Sequence, residues 1–248
     1  MIIGVDIGGS GVKGAPVDLV TGTLAMQRHR VPTPQPSTVD NMVAAVREVV
    51  GRFGAAERIG ITFPGVVVDG VVLTAANMDP EWRGAPAAEL FGAAVGGPVV
   101  VRNDADAAGI AEMAFGAGRG QPGLTILLTF GTGIGSALFL DGRLVPNTEL
   151  GHLELHGADV EVYASDRTRE TAGLDWPEWA ERVQDYLRHL EFLFRPALFI
   201  IGGGVSKKAD RYLHLLHLRT PVVPAELQNN AGIVGAALAA VSDGAPAG

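Results

Sequence analysis

Ile2-Ile3-Gly4-Val5-Asp6-Ile7-Gly8-Gly9-Ser10-Gly11-Val12-Lys13-Gly14 is an apolar run that stops abruptly in glycines, resumes from Ala15 to Leu19, and meets a turn signal at Thr21-Gly22. The stretch from Thr125 to Ser136 has the same form, continues from Ala137 to Leu140, and meets Asp141-Gly142. Strand, glycine turn, strand, turn is the pattern of a β-hairpin. Its recurrence about half a chain later predicts two related lobes. A third apolar run, from Leu198 to Ser206, also ends in glycines, Gly202-Gly203-Gly204.

Between the hairpins the pattern changes period. Residues 39–50 read as a helix, 58–63 as a strand ending at Pro64-Gly65, 99–102 as a strand ending at Asn103-Asp104, and 105–115 as a helix. Asp175-Trp176-Pro177-Glu178 has the form of a capping box with proline at the first helical position. The spacing of Trp179, Val183, Leu187, Leu190 and Phe194 carries that helix to Pro196. Asn230 is placed to cap a last helix, 231–241, apolar on nearly every side and therefore buried; the remaining tail frays. Alternating strands and helices make the chain α/β.

Composition removes several classes of function. The chain has 248 residues, 47% hydrophobic and 19% charged, so it can bury a core unaided. It has no cysteine, which excludes disulfides, thiolate zinc sites and a cysteine nucleophile. The start carries no basic segment typical of a secretory signal, and the longest helical apolar stretch is too short for a bilayer, so a soluble cytoplasmic protein with no membrane partner is expected. A net charge of −8 argues against broad nucleic-acid binding. Locally the sign reverses: Arg188, Arg195, Lys207, Lys208, Arg211 and Arg219 outweigh Glu191 and Asp210, six against two, for a net +4.

Gly9-Ser10-Gly11-Val12-Lys13-Gly14 also fits the G-x-G-x-x-G dinucleotide fingerprint, but that motif opens a helix. Here Pro16 and the Thr21-Gly22 turn favour a second strand, and the chain holds no G-x-x-x-x-G-K-[ST] loop either. What is left is a glycine turn with a hydroxyl and an amine, Ser10 and Lys13. Glycines let backbone N–H groups face a phosphate with no Cβ in the way. Two matched loops, with Asp6 at the end of the first strand, point to a pair of phosphate cradles as in a kinase cleft.

Asn103-Asp104 lies where a strand gives way to a helix, the side of an open α/β sheet on which ligands bind. Either residue can serve as a helix cap, and an acid there can also take a hydroxyl proton. Asn147-Thr148-Glu149-Leu150-Gly151-His152-Leu153-Glu154 gathers acids and a histidine beside the second glycine loop. In a regular strand His152, Glu154 and His156 share a face and Glu149 points away. A bend at Gly151 would bring Glu149 and His152 together, as a pocket for polar hydroxyls requires. A metal reading of His152-x-Glu154-x-His156 has no further ligand in view.

These residues resemble the ROK family of sugar kinases. Asp6 to Gly14 looks like its first phosphate motif, Thr129 to Ser136 its second, and Ile201-Gly202-Gly203-Gly204-Val205-Ser206 its third. Asn103-Asp104-Ala105-Asp106-Ala107-Ala108 is similar to the segment of the catalytic aspartate, and Glu149-Leu150-Gly151-His152 to the family's sugar-binding E-x-G-H. The resemblance runs through nearly the whole chain in order. It departs at one place, because ROK kinases commonly carry a cysteine-rich zinc motif after that histidine. The polyphosphate branch of the family is similar in lacking it, and the segments 31–36, 74–77 and 219–224 also look like that branch.

The resemblance implies an actin-like ATPase (ribonuclease H-like) fold with two lobes and a cleft between them, residues 1–104 with 230–248 forming one lobe and 105–229 the other. It implies transfer of a phosphoryl group from inorganic polyphosphate, with ATP as a further donor, to the 6-hydroxyl of glucose, with Mg²⁺ and without zinc, in a homodimer. Asp104 would be the base. Asn103, Glu149, His152, Glu161, Asn77 and Gly65 would bind sugar, with Trp82 in the same loop as Asn77. Asp6 would sit at the metal and the phosphates. Gly8, Gly9, Ser10, Gly11, Lys13, Gly131, Thr132, Gly133, Gly202, Gly203, Gly204 and Lys207 would line the donor side. Two rival expectations are an ATP-dependent ROK hexokinase acting on glucose, mannose or an amino sugar, and the sugar sensor of a ROK repressor; only five residues precede Asp6, which disfavours the latter's helix-turn-helix segment.

Overall fold

In a computed structural model of the chain, residues 1–75 and 78–242 are described. They divide into two compact units, Met1–Ala111 with Asn230–Gly248, and Glu112–Asn229.

In the first unit β1 (Ile2–Gly8) and β2 (Gly11–Asp18) form the expected hairpin, Gly8 paired with Gly11 across the turn. Two short strands, β3 (Thr23–Leu24) and β4 (His29–Val31), pair antiparallel with β2. Helix α1 (Val39–Gly51) starts at Thr38, whose hydroxyl accepts from the Asn41 amide. Strand β5 (Arg58–Phe63) runs parallel to β1, and a small hairpin of β6 (Val67–Val68) and β7 (Val71–Val72) leads to α2 (Ala87–Val95). Strand β8 (Val99–Asn103) lies parallel to β5 and passes directly into α3 (Asp104–Phe115).

The second unit holds β9 (Leu124–Phe130), β10 (Ile134–Leu140), β11 (Arg143–Val145), the hairpin of β12 (Glu154–Leu155) and β13 (Ala158–Asp159), and helices α4 (Val160–Ala164), α5 (Asp166–Thr171) and α6 (Trp176–Phe194). Strands β14 (Leu198–Gly203) and β15 (Val222–Pro224) follow, and α7 (Ala231–Ser242) returns to the first unit. The sheets have orders β3-β2-β1-β5-β8 and β11-β10-β9-β14-β15. In each, a hairpin supplies the antiparallel strands and the next two neighbours are parallel. The repeat read from the glycine hairpins is thus a repeat of whole sheets. Each unit has its own core, one around Ile3, Ile61, Phe63 and Trp82, the other around Leu128, Phe130, Trp179 and Phe199.

Several expectations need adjustment. The capping box is real, with Asp175 and Glu178 each accepting from the other's backbone N–H, but Trp176 takes the first helical position and Pro177 the second. The division between units falls inside α3, at 111/112, whereas the sequence sets it at the start of that helix. Among the described residues no helix is long and apolar enough to cross a membrane.

Helix α7 is buried on nearly every side and lies with its backbone on the sheet. A Cβ at Gly4 of β1 would fall 1.8 Å from the Ile233 carbonyl oxygen, and one at Gly60 of β5 would fall 1.8 Å from that of Ala236. Glycine is required at both, because no side-chain motion relieves a clash with backbone. Gly60→Ala is therefore expected to destabilise the protein by about 3 kcal/mol in urea unfolding. Gly51→Ala, at the end of α1 with open space around it, should be neutral or stabilise by up to about 1 kcal/mol.

Candidate active site

Asp6 lies opposite Lys13 on one neighbouring strand and opposite Thr62 on the other. Its carboxylate accepts from the Thr62 hydroxyl at 2.9 Å and pairs with Lys13 Nζ at 3.0 Å. Thr62 in turn accepts from the Ile7 amide at 3.0 Å. The first turn of α7 closes on the same carboxylate, since a Cβ at Gly232 would sit 2.7 Å from Asp6 Cγ. An acid fixed from three sides stands immediately before the Gly8–Gly11 turn. The turn's carbonyls are engaged as well: Arg30 donates to the Ser10 oxygen and Thr33 to that of Gly8. Arg30, opposite Lys13 in β4, adds a second cation to this loop. Sequence reading missed it; the one available signal was a basic residue on a strand three residues long.

At the end of β8 the capping role falls to Asn103. Its Oδ1 accepts from the amides of Ala105 (2.9 Å) and Asp106 (3.0 Å), and its Nδ2 donates to the Gly65 carbonyl at 3.1 Å. Asn103 is buried. Asp104 occupies the first position of α3, where the helix N-terminus favours negative charge. Gly65 thus reaches this cluster through its carbonyl. Trp82 does not line a site: it is fully buried between Phe63 and Phe91, with its indole N–H on the Ser37 carbonyl. Large aromatic area was best placed in the core. Asn77 lies outside the described residues.

In the second unit the remaining loops converge. Gly203, at φ 79°, pairs with Phe130 so closely that a Cβ would fall 2.2 Å from the Phe130 carbonyl oxygen. This sets Gly202 and Gly203 beside the strand that feeds Gly131-Thr132-Gly133. The Gly131 carbonyl accepts from the Arg167 amide at 3.0 Å, and the Ile134 amide donates to Glu161 Oε2 at 3.2 Å. Glu161 therefore braces the second glycine loop. Lys207 is exposed on the 3₁₀ segment Gly204–Arg211 that follows the third. The basic residues counted together in sequence are divided, because Arg195 stacks on Phe192 at the end of α6 and Arg219 sits by Glu191.

Leu150–His152 is a 3₁₀ turn, so Gly151 does bring Glu149 and His152 together, with His152 Nε2 3.7 Å from Glu149 Oε2. Gly151 also packs the turn onto β10: a Cβ would be 2.0 Å from the Ile134 carbonyl oxygen. Ser136 holds the segment from below, donating to the Thr148 carbonyl (2.6 Å) and accepting from the Leu150 amide (2.9 Å). Tyr186 donates to the Leu150 carbonyl at 3.1 Å. His152 Nδ1 lies 2.8 Å from Asp159 Oδ2, a partner the sequence reading missed. The regular strand that would have put His152, Glu154 and His156 on one face does not form, and the bend at Gly151 takes its place. Glu154 is in β12, while His156 turns the hairpin at φ 57° and approaches Asp185. Among the described residues no group of three or more His, Asp or Glu side chains is arranged to hold a metal.

The electrostatics follow the geometry. Burial pushes the Glu149 carboxyl above its usual range, opposed by His152 and aided by Glu161. The Asp159 hydrogen bond lifts His152 above the ordinary imidazole value; partial burial opposes this, and Glu161 and Glu149 add to it.

A family model described as the ROK family matches residues 2–166. The chain belongs to the ROK family. It is 52% identical over 241 residues to a polyphosphate glucokinase of Mycobacterium tuberculosis, covering 97% of this chain and 91% of that protein. Among solved structures it is similar to the inorganic polyphosphate/ATP-glucomannokinase of Arthrobacter sp. strain KM, with a TM-score of 0.94 and 52% identity over 98% of each chain. It is also similar to a ROK glucokinase of Streptomyces griseus in complex with glucose and AMPPNP, with a TM-score of 0.81 and 29% identity over 97% of this chain and 99% of that one. The duplicated sheets are the actin-like ATPase fold of ROK sugar kinases.

Burial drives the Tyr186 phenol far above its ordinary value, so it stays a hydrogen-bond donor at any working pH. Tyr186→Phe leaves the Leu150 carbonyl without it. This is expected to cost about 1–2 kcal/mol in denaturant unfolding and to speed hydrogen exchange of the His152 amide, which closes the ROK turn onto Glu149.

Proposed function

We propose that this ROK protein is a polyphosphate glucokinase, transferring the terminal phosphoryl group of inorganic polyphosphate, and of ATP, to the 6-hydroxyl of glucose. The observation that carries the reading is 52% identity over nearly the full length to a protein of that activity. The glycine loops and the E-x-G-H turn fit it chemically.

In this reading Asp104 takes the 6-hydroxyl proton as the sugar oxygen bonds to phosphorus and the bridging P–O bond breaks. The donor leaves one phosphate shorter. The transition state is loose, so the base acts late and positioning does most of the work. Glu149, His152 and Asn103 bind other sugar hydroxyls. The loops Gly8–Gly11, Gly131–Gly133 and Gly202–Gly204 are assigned to the phosphates, although the Gly131 amide itself donates to the Gly133 carbonyl at 3.0 Å. Asp6, a fixed carboxylate beside the first glycine turn, is the residue that would hold Mg²⁺, an ion that favours oxygen ligands. Bound there, Mg²⁺ neutralises charge on the transferred group, and Lys13 gives a cation on the same carboxylate. We further propose a cytoplasmic homodimer, which sedimentation would test.

Polyphosphate differs from ATP in presenting a long run of charge. Lys207, Lys208 and Arg211, on the segment after the third loop, and Arg167, tied through its amide to the second, are suited to follow it. A second reading, ATP-dependent phosphorylation of a hexose, has support in the likeness to the glucokinase complexed with glucose and AMPPNP. Comparing rates with each donor decides between them.

Asp104→Asn is expected to lower kcat about a thousandfold while glucose affinity stays within a few-fold. Surviving turnover would remove Asp104 as the base. Lys207→Ala/Lys208→Ala should raise KM for long polyphosphate about tenfold at low salt, with less effect on short chains and on ATP. Equal losses on all donors would sink the track.

A further inference from the structure

We propose that Asp159 is a positioning residue for sugar binding, holding His152 by Nδ1 so that Nε2 is presented to a sugar hydroxyl. This rests on the reading of His152 as a sugar ligand. A carboxylate can only accept, so a 2.8 Å contact between Asp159 Oδ2 and His152 Nδ1 fixes the ring proton on Nδ1. Nε2 is left 3.7 Å from Glu149 Oε2, too far for a hydrogen bond between them and close enough for both to reach one polar ligand.

Both partners are mounted rigidly for their exposure. His152 ends the turn that Ser136 and Tyr186 hold from either side. Asp159 ends a hairpin whose two-residue turn has positive φ at both positions, His156 (57°) and Gly157 (82°), the geometry that matches strand twist. Register pairs Asp159 with Glu154, and the ladder continues through the Val160 amide to the Leu153 carbonyl at 2.9 Å. The chain between histidine and aspartate therefore folds back on itself and closes a ring through their side chains. The charged groups acting on His152 are Asp159, Glu161 and Glu149, all acids. Together they favour the imidazolium, so Nε2 donates at lower pH and accepts at higher pH.

Asp159→Ala removes both charge and acceptor, Asp159→Asn keeps an acceptor alone, and Asp159→Glu restores the acid. We expect Asp159→Ala to raise the glucose KM about tenfold while kcat changes less than about threefold. Asp159→Asn should fall between, and Asp159→Glu should recover most of the loss. Nitrogen NMR of the His152 ring needs no turnover: its titration should move to lower pH in both the Ala and the Asn variant. If Asp159→Ala does not fold, the near-isosteric Asn variant carries both readouts. A KM within about twofold of the parent overturns the proposal, whether or not the titration shifts. An unshifted titration also overturns it. If the parent protein fails to phosphorylate glucose, the functional reading fails instead, and the NMR arm still decides whether Asp159 sets the ring.

Discussion

The arrangement of the first unit depends on a contact between two backbones. Sheets and helices normally meet through side chains, but Gly4 and Gly60 let α7 rest on β1 and β5 without them. That approach brings the first turn of α7 against the Asp6 carboxylate, which Thr62 and Lys13 already hold across two strand ladders. The acid's position is thus set by sheet register and helix placement together, and no flexible loop is involved. The second unit uses the same device at another place, where Gly151 lays the Glu149–His152 turn on the Ile134 carbonyl. In each case a missing Cβ fixes a polar group at a strand end. Such glycines are costly to replace, because the neighbouring atom is a carbonyl oxygen that cannot rotate away.

The proposed function asks a protein with a formal charge of −8 to bind a polyanion. Overall charge decides little here, because charges farther apart than about 10 Å are screened at ordinary salt. The first loop has Lys13 and Arg30 on facing strands, one cation paired with Asp6 and the other donating to the Ser10 carbonyl. Backbone N–H groups add partial charge that no acid on the surface cancels.

The duplicated architecture was legible because two signals coincided: apolar runs of strand length and glycines at the same place in each. The capping box and helix extents were legible from local pattern, since Asp175 and Glu178 act within their own segment. Arg30 and Asp159 were not legible. Both sit on strands of three residues or fewer, too short for a period, and each acts on a partner fixed by a turn elsewhere. Trp82 lies in the stretch that resembles the sugar loop, but its own environment is Phe63 and Phe91, which only the fold brings to it. The division inside α3 had no sequence signal at all, because a helix reads the same on both sides of it.

The second glycine loop separates two kinds of chemistry within four residues. At Gly131 its carbonyl meets the backbone of Arg167; at Ile134 its amide meets the carboxylate of Glu161. On the arginine side Gly203 pairs with Phe130, and Asp166 Oδ2 lies 3.9 Å from where a Cβ at Gly204 would stand. On the glutamate side lie Glu149, His152 and Asp159, three acids counting Glu161 around one imidazole. Even with His152 protonated this cluster is net negative. It repels a polyanion and still suits a neutral sugar, whose hydroxyls pair with carboxylates at no charge cost. In the proposed function, a phosphoryl donor turned toward these acids would meet repulsion, which works with attraction elsewhere to set its orientation.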